Sequence, residues 1–327
     1  MKINNSLPID VSSPMAEFIQ HEPYYYTKFG ATYLGDSLDI LKEIPDSSVN
    51  LIMTSPPYAL VFKKEYGNVD ADKYVEWFMK FSKEFQRILK DDGSLVIDIG
   101  GAWNKGEPTR SVYQFELLLA LLKTFKLAQE FYWYNPAKLP SPAEWVNVKR
   151  IRVKDAVETV WWLSKTAYPK ADNTKVLQPY SKDMYRLIEN GYTAKKRPSG
   201  HNITKKFNID NNGSIPPNLL QIGNTDSQSD YLKLCKQNGF KPHPARFPKE
   251  LPTFFIKFLT DTNDIVLDPF CGSNVTGFAA ENIKRKWIGI ELVEEYLQGS
   301  EFRFPKVWKA REHINGVIED SSSKAQS

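Results

Sequence analysis

Asp264-Ile265-Val266-Leu267-Asp268-Pro269-Phe270-Cys271-Gly272-Ser273-Asn274-Val275-Thr276-Gly277 is the stretch whose reading decides the fold, together with Trp287-Ile288-Gly289-Ile290-Glu291 downstream. Ile265 to Asp268 reads as a buried strand, the glycine-bearing turn leads into a helix from Val275 to Asn282, and Trp287 to Glu291 reads as the next strand. A strand, a turn of small residues, a helix and an acid about twenty positions on form the nucleoside-binding arrangement of doubly wound sheets. The small residues let a ligand approach the backbone, and the Glu291 carboxylate can accept two ribose hydroxyl bonds. Asn274 and Asp268-Pro269-Phe270 replace glycines of the dinucleotide fingerprint, so a nucleoside without pyrophosphate fits better. A purely structural strand-turn-helix remains the bland alternative.

A second stretch, Thr54-Ser55-Pro56-Pro57-Tyr58, ends the apolar strand Val49 to Thr54, where open α/β sheets place their sites. Consecutive prolines fix φ and donate no N–H, leaving the carbonyls of Ser55 and Pro56 as rigid acceptors beside the Ser55 hydroxyl. Tyr58 adds a flat ring, and together these make a cradle for a planar group bearing an exocyclic NH2. Taken alone, Ser-Pro-Pro-Tyr reads more readily as a strand-terminating turn.

Outward from these stretches, alternation is regular. Residues Ala31 to Leu34 read as a strand, Ser37 to Glu43 as a helical turn, and Asp72 to Lys90 as an amphipathic helix stopped by Asp91-Asp92-Gly93. Ser94 to Ile99 reads as a strand, Gln114 to Phe125 as a helix, Glu130 to Tyr134 and Ala156 to Leu163 as strands, and Lys249 to Leu259 as a helix. The first thirty residues, with Pro8, Pro14, Pro23 and Tyr24-Tyr25-Tyr26, read as a segment wrapping the domain outside its sheet. Pro, Asn, Gly and Lys break the pattern from about Thr166 to Gly239, which suggests a loop-rich recognition domain.

The chain of 327 residues, 41% hydrophobic and 25% charged, has ample apolar area for a core and no fibrous bias. Its start shows no signal peptide and no apolar run reaches a bilayer span, so a protein that stays in the cytoplasm and touches no membrane is expected. Cys235 and Cys271 cannot form a disulfide framework, and four histidines without paired spacing leave metal unsupported. Net charge is only +4, yet between Asn135 and Asp210 fifteen cations face seven acids, so a polyanion would meet the middle of the chain first. A merely solvated surface accounts for that charge equally well.

Ser-Pro-Pro-Tyr near one end with Asp-Pro-Phe-Cys-Gly-Ser near the other resembles the β-class amino-methyltransferases of DNA. Gly35-Asp36-Ser37, Leu89 to Ser94 and His243-Pro244-Ala245-Arg246-Phe247-Pro248 extend the likeness over nearly the whole chain. The resemblance implies an α/β, Rossmann-like AdoMet-dependent methyltransferase fold, doubly wound with a mostly parallel sheet and circularly permuted, carrying an inserted target-recognition domain. Residues 1–165 would be the catalytic half, 166–240 the target-recognition domain, 241–319 the AdoMet-binding half and 320–327 a disordered tail. Ser55, Pro56, Pro57 and Tyr58 would hold a flipped base for catalysis. Asp36, Phe247, Asp268, Pro269, Phe270, Gly272, Ser273 and Glu291 would bind S-adenosyl-L-methionine. Asn274 stands where many relatives carry glycine, and asparagine tolerates left-handed φ better than other side chains.

Lys63, Lys64, Arg197, His201, Lys205 and Lys206 are candidates for contacts to double-stranded DNA, with Asn202 beside them. The family likeness is strongest to the cytosine-N4 type, whose members protect DNA in prokaryotic restriction-modification systems beside a cognate restriction endonuclease. Adenine-N6 methylation by the same fold is the nearest alternative, since the cradle accepts either amine. A non-catalytic DNA-binding module is another, and methylation of a protein glutamine amide a third. An aromatic amine is a weak nucleophile, so acceptors out of the ring plane must expose its lone pair, with no covalent intermediate. Cys271 then reads as a packing residue.

Overall fold

The computed structural model describes residues 15, 17–59, 69–191, 209–225 and 229–309. Among these, nine strands form one sheet: β1 (Tyr25–Tyr26), β2 (Gly30–Leu34), β3 (Val49–Thr54), β4 (Leu89–Ile99), β5 (Lys126–Tyr134), β6 (Val157–Ser164), β7 (Leu219–Gln221), β8 (Ile265–Asp268) and β9 (Lys286–Glu291). Their spatial order is β1-β2-β9-β8-β3-β4-β6-β5-β7. The run from β2 to β4 is parallel throughout, β6 is antiparallel to both β4 and β5, β7 runs parallel with β5, and β1 is antiparallel to β2. Chain order reverses between β8 and β3, so the crevice at their carboxyl ends is the topological switch point where such sheets bind ligands.

Every residue of β3 and of β8 is buried, as expected for strands covered on both faces. On one face lie α1 (Ser37–Leu41), α2 (Ala71–Ile88) and α3 (Tyr113–Leu121). Tyr74, Phe78, Phe81, Phe85 and Ile88 recur at helical spacing along α2 and join Leu117 and Leu121 of α3 in one core. On the other face, α6 (Glu250–Leu259) and α7 (Val275–Asn282) bury Phe255, Ile256, Ala279 and Ala280 in a second core. Three further helices, α4 (Lys182–Asn190), α5 (Asp230–Gln237) and α8 (Glu294–Ser300), lie outside these layers or at their margin.

Three sequence expectations are corrected. Tyr24 to Tyr26 does not simply wrap the domain: Tyr25 and Tyr26 pair with β2 as β1, and the Tyr25 hydroxyl is buried against Ser300 at 2.7 Å. The stop expected at Asp91-Asp92-Gly93 is absent, because α2 ends at Ile88 and the chain enters β4 directly. Leu89 pairs with Val49 and Ser94 with Leu51, so residues 90–93 bulge from the ladder instead of ending the helix. β5 begins at Lys126 rather than Glu130, its largely exposed first half held by pairing with β6 rather than by burial. Within the irregular stretch from Thr166 to Gly239, β7 adds itself to the main sheet through Leu219, Leu220 and Gln221.

Candidate active site

Two loops leave adjacent parallel strands at the same end of the sheet. Ser55, Pro56, Pro57 and Tyr58 follow β3, and Pro269, Phe270, Gly272 and Ser273 follow β8. The Thr54 hydroxyl donates to Asp268 Oδ1 at 2.7 Å and ties the two loops together at their roots. Tyr58 and Phe270 pack against the same apolar cluster, on one side of the sheet.

In the cradle, Ser55 Oγ lies 3.1 Å from the Tyr58 hydroxyl, which donates to Glu158 Oε2 at 2.9 Å and reaches Asp98 Oδ2 at 3.4 Å. The Tyr58 ring lies against Gly100, where a Cβ would come within 2.5 Å of Cε2. Lys138 Nζ holds the other oxygen of Glu158 at 2.7 Å. Asp98 stands 1% exposed, and its Oδ1 has no hydrogen-bond partner among the described residues. Burial, and then the charge of Glu158, push its carboxyl well above the usual range, while Lys138 pulls the other way. Burial, followed by Asp98 and Glu158, likewise raises the Tyr58 phenol well above its ordinary value.

Asp98, Glu158 and Lys138 were not among the residues expected from sequence. Asp98 had a signal: it is the lone carboxylate in the apolar run Leu95-Val96-Ile97-Asp98-Ile99, at the carboxyl end of a strand. Glu158 had none, because only the register of β6 on β4, with Val160 opposite Asp98, brings it to the same face.

The second lobe is built around the turn after β8. Asp268 Oδ1 accepts from Phe270 N at 3.1 Å as well as from Thr54, and Oδ2 accepts from the Thr276 hydroxyl at 2.6 Å. Burial pushes this carboxyl up to about 6 although its donors oppose the rise. Asp268 is thus a pin between strands, with its oxygens already engaged. Gly272 has φ +53, and a Cβ there would meet the His243 ring at 3.1 Å. Burial lowers His243 to about 4, so the ring is neutral at pH 7.

Asn274 adopts the left-handed conformation expected of it, with φ 54 and ψ 45. Its Oδ1 caps α7 at the Gly277 N–H, and its Nδ2 donates to the Tyr25 hydroxyl at 3.0 Å. Cys271 is buried, and burial raises its thiol well above the ordinary value, as a packing residue requires.

Glu291 ends β9, with Oε2 accepting from Gly272 N at 2.8 Å and Oε1 from Val293 N at 2.9 Å. The Leu292 N–H bonds this carboxylate as well, which leaves one lone pair to accept from a ligand. Leu34 of β2 pairs with Glu291, so Asp36, exposed at the N-cap of α1, stands at the same rim. Phe270 is half-buried against Trp77 and Phe81. A carboxylate acceptor, an aromatic ring and a turn opened by Gly272 at one strand end fit an adenosyl group. Phe247 is half-buried against the second core, four residues from His243.

Lys63, Lys64, Arg197, His201, Lys205 and Lys206 lie outside the described residues. Among the described residues no cluster of His, Cys, Asp or Glu could hold a metal, and no helix is long and apolar enough to cross a membrane.

The chain is 56% identical over 288 residues to the type II methyltransferase M.PvuII of Proteus hauseri, covering 86% of each chain. The solved structure of the PvuII cytosine-N4-specific DNA methyltransferase matches with a TM-score of 0.72 and 47% identity, over 91% of this chain and 94% of that one. DNA adenine methyltransferase YhdJ of Escherichia coli is 27% identical, over 81% of this chain and 79% of its own. Residues 49–302 match the DNA methylase family N6_N4_Mtase, and the chain belongs to that family.

Proposed function

We propose that this protein is a site-specific DNA methyltransferase that moves a methyl group from S-adenosyl-L-methionine to the exocyclic N4 of cytosine, within a restriction-modification system. The observation that carries the reading is the Thr54–Asp268 bond, which holds the Ser55 to Tyr58 cradle and the Asp268 to Ser273 turn at one strand end. When bound, S-adenosyl-L-methionine supplies an electrophilic methyl on a sulfonium.

The chain's own residues do the rest. Glu291, Phe270 and Asp36 are the proposed holders of the adenosyl group, and the Asp268 pin keeps their turn in place. Phe247, with Pro269, Gly272 and Ser273, completes the proposed cofactor wall. Ser55 and the backbone of Ser55 and Pro56 accept hydrogens of the cytosine amine, while Tyr58 stacks on its ring. These acceptors favour a pyramidal nitrogen whose lone pair faces the methyl. As the N–C bond forms and the C–S bond breaks, the amine's surplus proton passes to Asp98, directly or through the Ser55 hydroxyl. The raised carboxyl of Asp98 suits it to take that proton.

Within a duplex the amine is out of reach, so the base must be extruded at a cost of a few kcal/mol. Residues 166–240 are the proposed reader of sequence, and Arg197, His201, Lys205, Lys206, Lys63 and Lys64 are proposed for contacts to bases or phosphates. A cognate restriction endonuclease is the proposed functional partner, and the cytoplasm of a prokaryote, where the DNA lies, the proposed location. The test is to incubate the protein with unmodified plasmid and S-adenosyl-L-methionine, hydrolyse the DNA and identify the nucleoside by mass. N4-methylcytosine is expected; N6-methyladenine would overturn the base, and no methylated nucleoside on varied DNA would overturn the function.

A further inference from the structure

The loop between β5 and β6 rises from the same end of the sheet as the cradle and lends it Lys138, while the tip of the loop takes no part in the cradle or the cofactor turn. β5 runs parallel to β4, so the carboxyl end of β5 at Tyr134 lies with those of β3 and β4. The base of the loop is tied to the cradle: Lys138 is bonded to Glu158, which is bonded to Tyr58. Asp155 at its far end receives Trp103 Nε1 at 2.9 Å and pairs with Arg110. The loop is internally braced, since Asp155 N donates to Ser141 O at 3.0 Å and Ile151 N to Trp145 O at 2.9 Å.

Its tip combines exposed aliphatic side chains with cations. Val148 is 69% exposed and Val153 86%, with Ile151 at 49% between them. Interleaved with these are Arg150, Arg152 and Lys154, and among the described residues none of the three has a carboxylate partner. Arg152 donates to Pro108 O and Ile151 O, and Lys154 to the carbonyls of Pro136 and Lys138. Three uncompensated cations among exposed aliphatic side chains, on a braced loop beside an amine cradle, complement a polyanion with apolar sugar and base edges.

We propose that the Leu139 to Lys154 loop is a DNA-docking element separate from the recognition segment, with Arg150, Arg152 and Lys154 on phosphates flanking the extruded base and Val153 and Ile151 against the opened stack. This rests on the DNA-methylating reading of the cradle. Apolar side chains inserted at an opened step are a general means of offsetting unstacking.

The test compares two triple variants by salt-dependent equilibrium binding to plasmid-derived duplex fragments. Arg150→Ala/Arg152→Ala/Lys154→Ala removes the loop cations. Lys90→Ala/Lys123→Ala/Lys126→Ala removes equal charge where α2 and α3 feed β4 and β5, at the opposite end of the sheet. The loop variant should lose about tenfold or more in affinity near physiological salt, with the slope of log K against log salt reduced by about 3, while S-adenosyl-L-methionine binding is kept. The control variant should retain the wild-type slope. Equal losses in both would overturn the proposal, since net charge alone would then explain them. Single variants Arg150→Ala and Arg152→Ala, each lowering the slope by about 1, answer the question should the triple variant not fold. A wild-type protein that binds and methylates no DNA would overturn the functional reading instead, and this inference with it.

Discussion

Thr54 donates its hydroxyl hydrogen to Asp268 Oδ1 across 2.7 Å, although 214 positions separate them in the chain. The bond joins the last residues of two neighbouring parallel strands and fixes the spacing between the proposed base cradle and the proposed cofactor turn. Replacing Thr54 by valine keeps the shape but leaves a buried carboxylate short of one donor. A stability loss of about 1–3 kcal/mol is expected in urea denaturation, with weaker cofactor binding by calorimetry. Unchanged values on both counts would remove the bond from the account.

Asp268 also sets a pH dependence. Its folded value of about 6 exceeds the ordinary 3.8, so from about pH 4 to 6 the folded chain holds a proton that the unfolded chain releases. Stability from this group therefore falls as pH rises through that window and is constant above it. Asp268→Asn should abolish this contribution, so the difference in unfolding free energy between wild type and variant should change across pH 4 to 6.5. A pH-independent difference would contradict the assignment.

Asp98 is the proposed proton acceptor, and it works only when ionised. Because burial raises its carboxyl, the rate of methyl transfer should climb with pH along a limb well above the ordinary carboxylate range. Asp98→Asn should cut kcat by about a hundredfold or more and erase that limb, while cofactor affinity stays within a few fold. Ser55→Ala should lower kcat without erasing it. Single-turnover assays with tritiated methyl donor across pH measure both.

Gly100 leaves room for Tyr58. An added methyl would lie 2.5 Å from the ring, with no flexible group to yield except the tyrosine itself. Gly100→Ala should displace Tyr58 from the proposed cradle and depress kcat/KM for DNA about tenfold or more, since a misplacement of about 1 Å can cost a hundredfold. Thermal unfolding should move little by comparison. Wild-type kinetics would show that the ring position is immaterial.

Asn274 separates conformation from capping. Asn274→Gly keeps the left-handed backbone but loses the cap on α7 and the bond to Tyr25, whereas Asn274→Ala loses these and adds left-handed strain of about 1–2 kcal/mol. Denaturation should rank wild type, glycine, then alanine. Alanine equal to glycine would show that backbone strain is not stored there.

Much of this was legible because the buried strands announce themselves. β3 and β8 carry only apolar or pinned residues, and their bounds match the sequence reading at Val49 to Thr54 and Ile265 to Asp268. What stayed hidden depends on partners far along the chain. Residues 90–93 look like a helix stop because Asp91-Asp92-Gly93 is good turn chemistry. Only the pairing of Leu89 with Val49 draws them into a strand. Lys126 to Glu130 sets Leu127 and Ala128 side by side and so lacks apolar alternation, and β6 supplies its reason to be extended. Glu158 and Lys138 likewise acquire meaning from cross-strand register, to which a one-dimensional pattern is blind.

Tyr26 and Trp308 exchange two backbone hydrogen bonds of 2.9 Å and stack their rings 5.8 Å apart. Segments from opposite ends of the described chain thus share a seam. A gene rearranged so that translation crosses this seam, and starts in some exposed loop elsewhere, would encode the same sheet with its lobes in the other order. Which lobe emerges first from the ribosome is then an accident of ancestry rather than a demand of the chemistry.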